Sequence, residues 1–459
     1  MAQNVGIKAI QVYFPRNYVS AVDLEAHYSE PTGKYTEGLG LMEMGFCYDN
    51  EDINSIALTV TSNLMKDYNI APNDIGYLAV GTETLVDKSK SVKTHLMELF
   101  GENRDIEGVD VKNACFGGTQ ALFGAVDWVK ANYQYDGRMA IVVMADIAVY
   151  DSGPARCTGG AGAIAVLIGQ NAPIILEDGL RSFFMENTWD FYKPIGGLAT
   201  EFPIVDGKIS LKCYLKAFDE CCAKYNQKSR RILGRDPSVN DFSSIFFHCP
   251  FYKLVQKAFA RIVFSDVMNN RISSENYASL EKFRNVNLPD TYEDKQFTSE
   301  TIKASRSLLN QKVEPNMTLN RRVGNMYTPS LYAQLITFLS RMDDVKSLND
   351  SRVLLFSYGS GLASAMFSMR FDTKSDDLTA KLRKMHLISK NAIERLDMRE
   401  RHDPKEYEII MGTRKTLVET DRKIDPVASK NGISDHLFPG TYYLQTIGEH
   451  RIRTYDKVQ

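Results

Sequence analysis

The feature that most constrains this chain is a strand-and-helix order that runs through it twice. In the first pass Val5–Val12 reads as a strand, Ile53–Met65 has helical spacing, and Ile75–Val80 is a short strand ending in Gly81-Thr82-Glu83-Thr84. A polar helical stretch, Lys88–Phe100, leads to a strand end at Val109 and Val111, a sharp turn at Cys115, and a helix with Leu122, Val126 and Val129 on one face. Met139–Met144 and Ala163–Ile168 are further buried strands, with Gly159-Gly160-Ala161-Gly162 between them. In the second pass Phe242–Phe247 is a strand, and Tyr252–Val263 and Ser330–Met342 are helices. Strands Val353–Phe356 and Ala363–Met369 then flank Gly359-Ser360-Gly361. Laying Asn113-Ala114-Cys115 over Asn325-Met326-Tyr327 aligns the two passes and gives Tyr327 the position of the cysteine.

Such alternation folds as βαβ units on a mostly parallel sheet. The expected organisation is α/β, with an N-terminal half over 1–172 and a C-terminal half over 173–459 fused into one body. A polar insertion, 269–322, interrupts the second half. An extension, 373–459, follows, with a helical segment Asp377–Arg401 and an antiparallel pair around Tyr442–Tyr455.

A formal net charge of −2 gives no electrostatic reason for nucleic acid or an anionic membrane as partner, so an anionic ligand must be met by a local cluster. Seven cysteines, an odd number in a long chain, suit a reducing compartment rather than a disulfide framework. MAQNVGIKAIQVYFP starts as a strand rather than as a leader, and no apolar run approaches the ~18 residues of a membrane helix, so a cytoplasmic protein is expected.

Three reactive side chains each close a strand: Glu83, Cys115 and His248. Ligands of open α/β sheets bind beyond the carboxyl ends of the strands, so the three have a route to one pocket. Cys115 falls at a helix start, where unpaired N–H groups and the helix dipole favour a thiolate and offer donors to an oxyanion. A buried structural cysteine, a loop carboxylate and a hydrogen-bonded core histidine are the plainer alternatives. Together a thiolate, a carboxylate and an imidazole can transfer an acyl group and abstract a proton.

After His248, the helix carries Leu254, Val255, Ala258, Phe259, Ile262 and Val263 on one side and Lys253, Lys257 and Arg261 on the other. That basic stripe is either a solvated face or a receiver of phosphates at the pocket mouth. Walker and HExxH motifs are absent, and the adjacent Cys221 and Cys222 match zinc spacing poorly, so no metal and no redox cofactor is expected.

The blocks GKYTEGLG, VGTETLVDKSKSVKT, NACFGGTQALF, DIAVY, TGGAGAIAVLIG, DFYKP, PIVDGK, HCPFYKLVQKAFAR, GNMYT and FSYGSGLA stand in one order from the N-terminus to about Phe371. In them the chain resembles the eukaryotic-type hydroxymethylglutaryl-CoA (HMG-CoA) synthases of the thiolase-like superfamily. The resemblance implies a duplicated thiolase-like five-layered α-β-α-β-α architecture and a homodimer. It implies condensation of acetyl-CoA with acetoacetyl-CoA and water to give HMG-CoA and CoA, in the mevalonate route to isoprenoids and sterols, with CoA thioesters as substrates and no cofactor. On the matching motifs, Cys115 takes the acetyl group, Glu83 removes a methyl proton, and His248 positions acetoacetyl-CoA. By the same likeness Thr158 and Asn325 meet the acyl portion, Tyr150 lines its pocket, and Lys34, Ser210, Lys253 and Lys257 meet CoA. The backbone N–H groups of Cys115 and Ser360 would form an oxyanion hole.

The chain departs from that pattern in one turn. Gly153-Pro154-Ala155-Arg156-Cys157-Thr158 carries Pro154 where a side-chain amide is expected and Cys157 where a proline is expected. Altered CoA affinity rather than lost chemistry is the expectation. A thiolase would need a second cysteine near Tyr358-Gly359-Ser360-Gly361, which has none, and a cysteine hydrolase leaves Glu83 and the basic stripe unexplained. A catalytically dead scaffold has only Pro154 and Cys157 in its favour.

Overall fold

The computed structural model describes residues 3–194, 201–419, 425–429 and 433–459. The elements that position the site are, in the first half, β1 (Gly6–Tyr13), α1 (Ile53–Tyr68), β2 (Ile75–Gly81), β3 (Asp110–Val111), α2 (Gly117–Asp136), β4 (Met139–Ala148) and β5 (Gly160–Gly169). Downstream are β6 (Ile174–Leu176), β7 (Ser182–Met185), α3 (Gly207–Leu233), β8 (Ser244–Phe247), α4 (Tyr252–Met268), α5 (Lys295–Lys312), α6 (Ser330–Ser340), β9 (Arg352–Gly359), β10 (Ala363–Phe371), α7 (Asp376–Arg395) and α8 (Pro404–Glu419).

The pairing repeats. In the first half β3, β2 and β4 run parallel, and β5 and then β1 add antiparallel. In the second, β8 and β9 run parallel, β10 adds antiparallel, and β6 and β7 pair antiparallel with β10. An antiparallel contact of β1 with β6, Gly6 opposite Ile175, joins the halves into one ten-stranded sheet.

Alternation along buried strands builds the layers, because successive side chains leave opposite faces. From β4, Ala140, Val142 and Met144 face a central core, while Ile141, Val143 and Ala145 face an outer one with Ile53, Ile56, Val60 and Leu64 of α1. From β9, Val353 and Leu355 face the same central core, while Leu354, Phe356 and Tyr358 face a second outer one with α3 and α4. Helices α2 and α6 fill the centre through Leu122, Val126, Val129, Leu331, Leu335 and Leu339. The order is helix, sheet, helix, sheet, helix: the five-layered α-β-α-β-α architecture.

Three sequence readings change. Ala114 and Tyr327 are the residues with positive φ, 43° and 53°, one turn before α2 and α6. Gly117 N–H bonds Ala114 C=O at 3.2 Å, and Ser330 N–H bonds Tyr327 C=O at 3.1 Å. The true register therefore sets Tyr327 against Ala114 and Thr328 against Cys115, one residue from the alignment drawn on the asparagines. Arg261 does not continue a solvated stripe: it is 4% exposed, with a bidentate bond to Asp219. Lys88–Phe100 is a single α-helical turn, Val92–Leu96, followed by a 3-10 turn, Met97–Phe100.

The end of β2 meets the start of α2 with no room to spare. A Cβ on Gly81 would lie 2.3 Å from Gly118 Cα, and one on Gly359 would lie 2.5 Å from Phe116 N. Gly81→Ala should cost about 1–3 kcal/mol in guanidinium unfolding, because both obstructing groups are backbone. A midpoint equal to the parent's would mean that β2 and α2 can part freely.

Candidate functional site

The Cys115 turn is set by backbone geometry. β3 ends at Val111, Ala114 adopts left-handed φ, and Cys115 emerges two residues before α2. Glu83 lies two residues beyond β2, and His248 directly follows β8. All three thus stand past the carboxyl ends of parallel strands, as their positions in sequence led us to expect.

Cys115 and His248 line one cavity of about 450 Å3, together with Tyr150, Thr158, Asn325 and Ser360. Glu83 reaches it through Cys115, whose Sγ donates to Glu83 Oε1 at 3.2 Å. The other oxygen of Glu83 pairs with Lys193 Nζ at 3.1 Å, and that ammonium also lies 4.6 Å from the Tyr327 ring centroid. Glu83 and Lys193 border a neighbouring cavity of about 630 Å3, which shares Phe191 and Ser360 with the first.

Asp146, fully buried in β4, holds the Glu83 loop. Its Oδ1 accepts from Thr82 Oγ1 at 2.9 Å, Glu83 N at 2.8 Å, Thr84 N at 3.0 Å and Thr84 Oγ1 at 2.8 Å. Its Oδ2 accepts from the backbone N–H, at 3.1 Å, and the hydroxyl of Thr328 in the second half. Burial, and then the charge of Glu83, push its carboxyl up to about 6.

Cys115 is not a preformed thiolate. Burial first, then the charges of Glu83 and Asp146, raise its thiol well above the ordinary range, outweighing the helix start that suggested the opposite. A thiol bonded to a carboxylate needs that carboxylate as its proton acceptor. Burial holds the His248 imidazole down to about 3, neutral at physiological pH. Its backbone is fixed from both sides, N–H to Phe356 C=O at 2.7 Å and C=O from the Tyr214 hydroxyl at 2.7 Å.

The remaining expected residues divide. Ser210 lines the reactive cavity, and so does Pro154, whereas Cys157 turns away into the outer core with its thiol 3.6 Å from Pro154 O. Asn325 Oδ1 accepts from Tyr327 N and Ser330 Oγ, both at 2.9 Å, which fixes its amide. Lys253 and Lys257 lie in a third cavity of about 770 Å3, which meets the reactive one at Gly207 and Leu211. Lys34 stands apart from these cavities, paired with Glu30 at 2.6 Å.

Sequence reasoning missed several neighbours. Lys208, Lys295, Lys303 and Arg306 converge on the third cavity beside Lys253 and Lys257, and three of these four come from α5 in the insertion. Lys193 was visible only as part of DFYKP. Asp146 left a clear signal, a lone carboxylate inside the apolar run MAIVVMADIA. Asp190, like Lys193, was visible only as part of DFYKP: its carboxylate, fully buried, takes Thr188 Oγ1 at 2.9 Å, Tyr358 OH at 2.9 Å and Gly361 N at 2.8 Å, tying the Lys193 segment to the Gly359–Gly361 turn.

Comparison with known proteins gives the family. Family profiles for the N-terminal and C-terminal parts of hydroxymethylglutaryl-coenzyme A synthase match residues 1–173 and 174–458. The mitochondrial hydroxymethylglutaryl-CoA synthase of Mus musculus is 46% identical over 99% of this chain and 89% of its own length. The cytoplasmic one of Homo sapiens is 44% identical over 99% and 87%. A solved structure of MvaS in complex with 3-hydroxy-3-methylglutaryl coenzyme A superposes with a TM-score of 0.82 at 29% identity, covering all of both chains. The chain therefore belongs to the hydroxymethylglutaryl-CoA synthase family, enzymes of the thiolase-like fold that condense acetyl-CoA with acetoacetyl-CoA.

Proposed function

We propose that Cys115, Glu83 and His248 divide this condensation between them. Cys115 Sγ attacks the thioester carbonyl of acetyl-CoA, and its proton passes through Glu83 to the departing CoA sulfur. Glu83 then takes a proton from the acetyl methyl group, which a thioester acidifies enough for a carboxylate in a dry site. The carbanion attacks the ketone carbon of acetoacetyl-CoA. His248, held neutral, offers an N–H to the ketone oxygen and relays a proton to the alkoxide, balancing the one Glu83 removed. Water finally adds to the cysteine thioester, the C–S bond breaks, and HMG-CoA leaves with the thiol restored. Backbone N–H groups of Cys115 and Ser360 stabilise the oxyanions. The observation that carries this reading is the 3.2 Å contact of Cys115 Sγ with Glu83, at the floor of the cavity that His248 also lines.

Both substrates are CoA thioesters, and the scheme uses no metal or redox cofactor. The acyl portions fit between Tyr150, Thr158 and Asn325, with Ser210 at the passage toward the cations. Lys253 and Lys257, joined by Lys208, Lys303 and Arg306, receive the CoA phosphates; Lys34 can join them only by releasing Glu30. Pro154 lines the reactive cavity without a donor, which favours weakened CoA binding over lost chemistry.

A homodimer fits the outer edge of the first half-sheet, where β3 is two residues long and neighbouring Val109 is 64% exposed. As the setting we read the cytoplasmic, isoprenoid-supplying branch, with the human cytoplasmic relative as precedent. Light scattering and cell fractionation test these two points: a monomer, or enzyme confined to mitochondria, would refute them.

Radiolabelled acetyl-CoA should leave a covalent label that Cys115→Ala abolishes. Glu83→Ala should take up the label slowly yet condense about 10^3-fold more slowly than the parent, and full turnover would remove Glu83 as the base. The pair Lys303→Glu and Arg306→Glu should raise KM for acetyl-CoA about 10-fold at low salt, an effect that shrinks as salt is added. Acetyl-pantetheine, which has no phosphates, should be used unchanged; equal losses on both compounds would move the phosphates elsewhere.

A further inference from the structure

The turn between β4 and β5 shapes the reactive cavity but does little to hold itself in place. Pro154, Ala155 and Thr158 line the cavity, and the backbone bonds of the turn are local ones, Arg156 N to Gly153 O at 3.1 Å and Thr158 N to Ala155 O at 2.9 Å. Besides Cys157, which packs into the outer core, what ties it to the body is Arg156, 5% exposed. Its Nη1 donates to Tyr150 O at 2.7 Å, and Nε and Nη2 donate to the two oxygens of Glu408 at 2.9 and 2.5 Å. The guanidinium also lies 5.2 Å from the Tyr407 ring centroid. Tyr28 donates its hydroxyl to the same Glu408 oxygen that Arg156 Nε contacts.

Tyr407 and Glu408 are neighbours on α8, a helix of the extension that is itself firmly seated. Tyr407, Ile410 and Met411 pack into the outer core. Arg414, buried, pairs with Glu201 at 2.9 and 3.1 Å and donates to the carbonyls of Tyr48 and Glu51 at 3.0 and 2.7 Å. A charge held this completely does not shift without a large penalty, so α8 presents Glu408 at a fixed point.

We propose that α8 is a brace for the acyl cavity, and that Glu408, through Arg156, is a positioning residue that sets which acyl group fits. The chain of contacts runs from Glu408 to Arg156, and from Arg156 to both walls of the cavity, the Tyr150 carbonyl and the Ala155 to Thr158 turn. The inference rests on the reading that this cavity receives the acyl group. A wall held by one bidentate ion pair keeps its distance from the opposite wall; with the pair weakened the wall yields, and a longer acyl chain gains room. Acyl selectivity is the readout, because a cavity that discriminates one methylene does so by fit.

The test measures covalent acylation of Cys115 from acetyl-CoA and from propionyl-CoA in the parent, in Glu408→Gln, which keeps shape but loses charge, and in Arg156→Lys, which keeps charge but loses the fork. Both variants should lower the acetyl-to-propionyl rate ratio about 10-fold. The neighbouring exposed Glu406→Gln should leave it unchanged. An unaltered ratio in folded Glu408→Gln, whether acylation is intact or slowed equally for both thioesters, would overturn the proposal. Absence of any acyl-cysteine in the parent would instead overturn the function on which it rests.

Discussion

One buried carboxylate holds the reactive centre together. Asp146 receives six donors, four from the Thr82 to Thr84 loop and two from Thr328, so it joins the base loop of the first half to the helix start of the second. A carboxylate with no access to solvent is tolerable only when its lone pairs are this fully used. Glu83 is presented to Cys115 because its own backbone N–H is one of those six. The duplication thereby serves the site: the second half contributes Thr328, its counterpart of Cys115, as a clamp.

The same burial decides the state of each reactive group. Cys115, beside Glu83 and over Asp146, keeps its proton, and His248, enclosed by apolar and aromatic neighbours, stays neutral. Neither group is poised alone. A thiol already bonded to its acceptor and an imidazole already neutral are ready for proton transfers that need no change of net charge in a dry cavity. Lys193 supplies the compensating positive charge at the carboxylate, and Tyr327 takes up its outer side.

Binding charge lies at the other end. Six cations from α3, α4 and α5, Lys208, Lys253, Lys257, Lys295, Lys303 and Arg306, face a separate cavity that joins the reactive one at Gly207 and Leu211. Keeping these cations in a separate cavity leaves the Cys115 thiol's environment dominated by Glu83 and Asp146. Three of the six come from the insertion, and the extension holds Arg156 of the turn beside the reactive cavity through Glu408, so the segments outside the duplicated pattern both reach the surroundings of the site.

How far the sequence reached depends on the kind of physical signal. Periodic apolar patterning marked the strands and the paired helices, and the residues closing each strand, Glu83, Cys115 and His248, were legible because a parallel sheet gathers its strand ends. Local chemistry alone could not give the register of the halves, since asparagines at 113 and 325 align while the left-handed residues, Ala114 and Tyr327, do not. Nor could it find Asp190, Lys193 or the pairing of Arg156 with Glu408, which join residues far apart in the chain. The sequence by itself determined the strand and helix order and which side chains could react. Only the tertiary structure decided that burial and charge disfavour ionisation of Cys115, that Arg261 is structural, that α5 lines a cavity joined to the reactive one and that α8 holds Arg156, because burial and long-range charge arise only once the layers have closed.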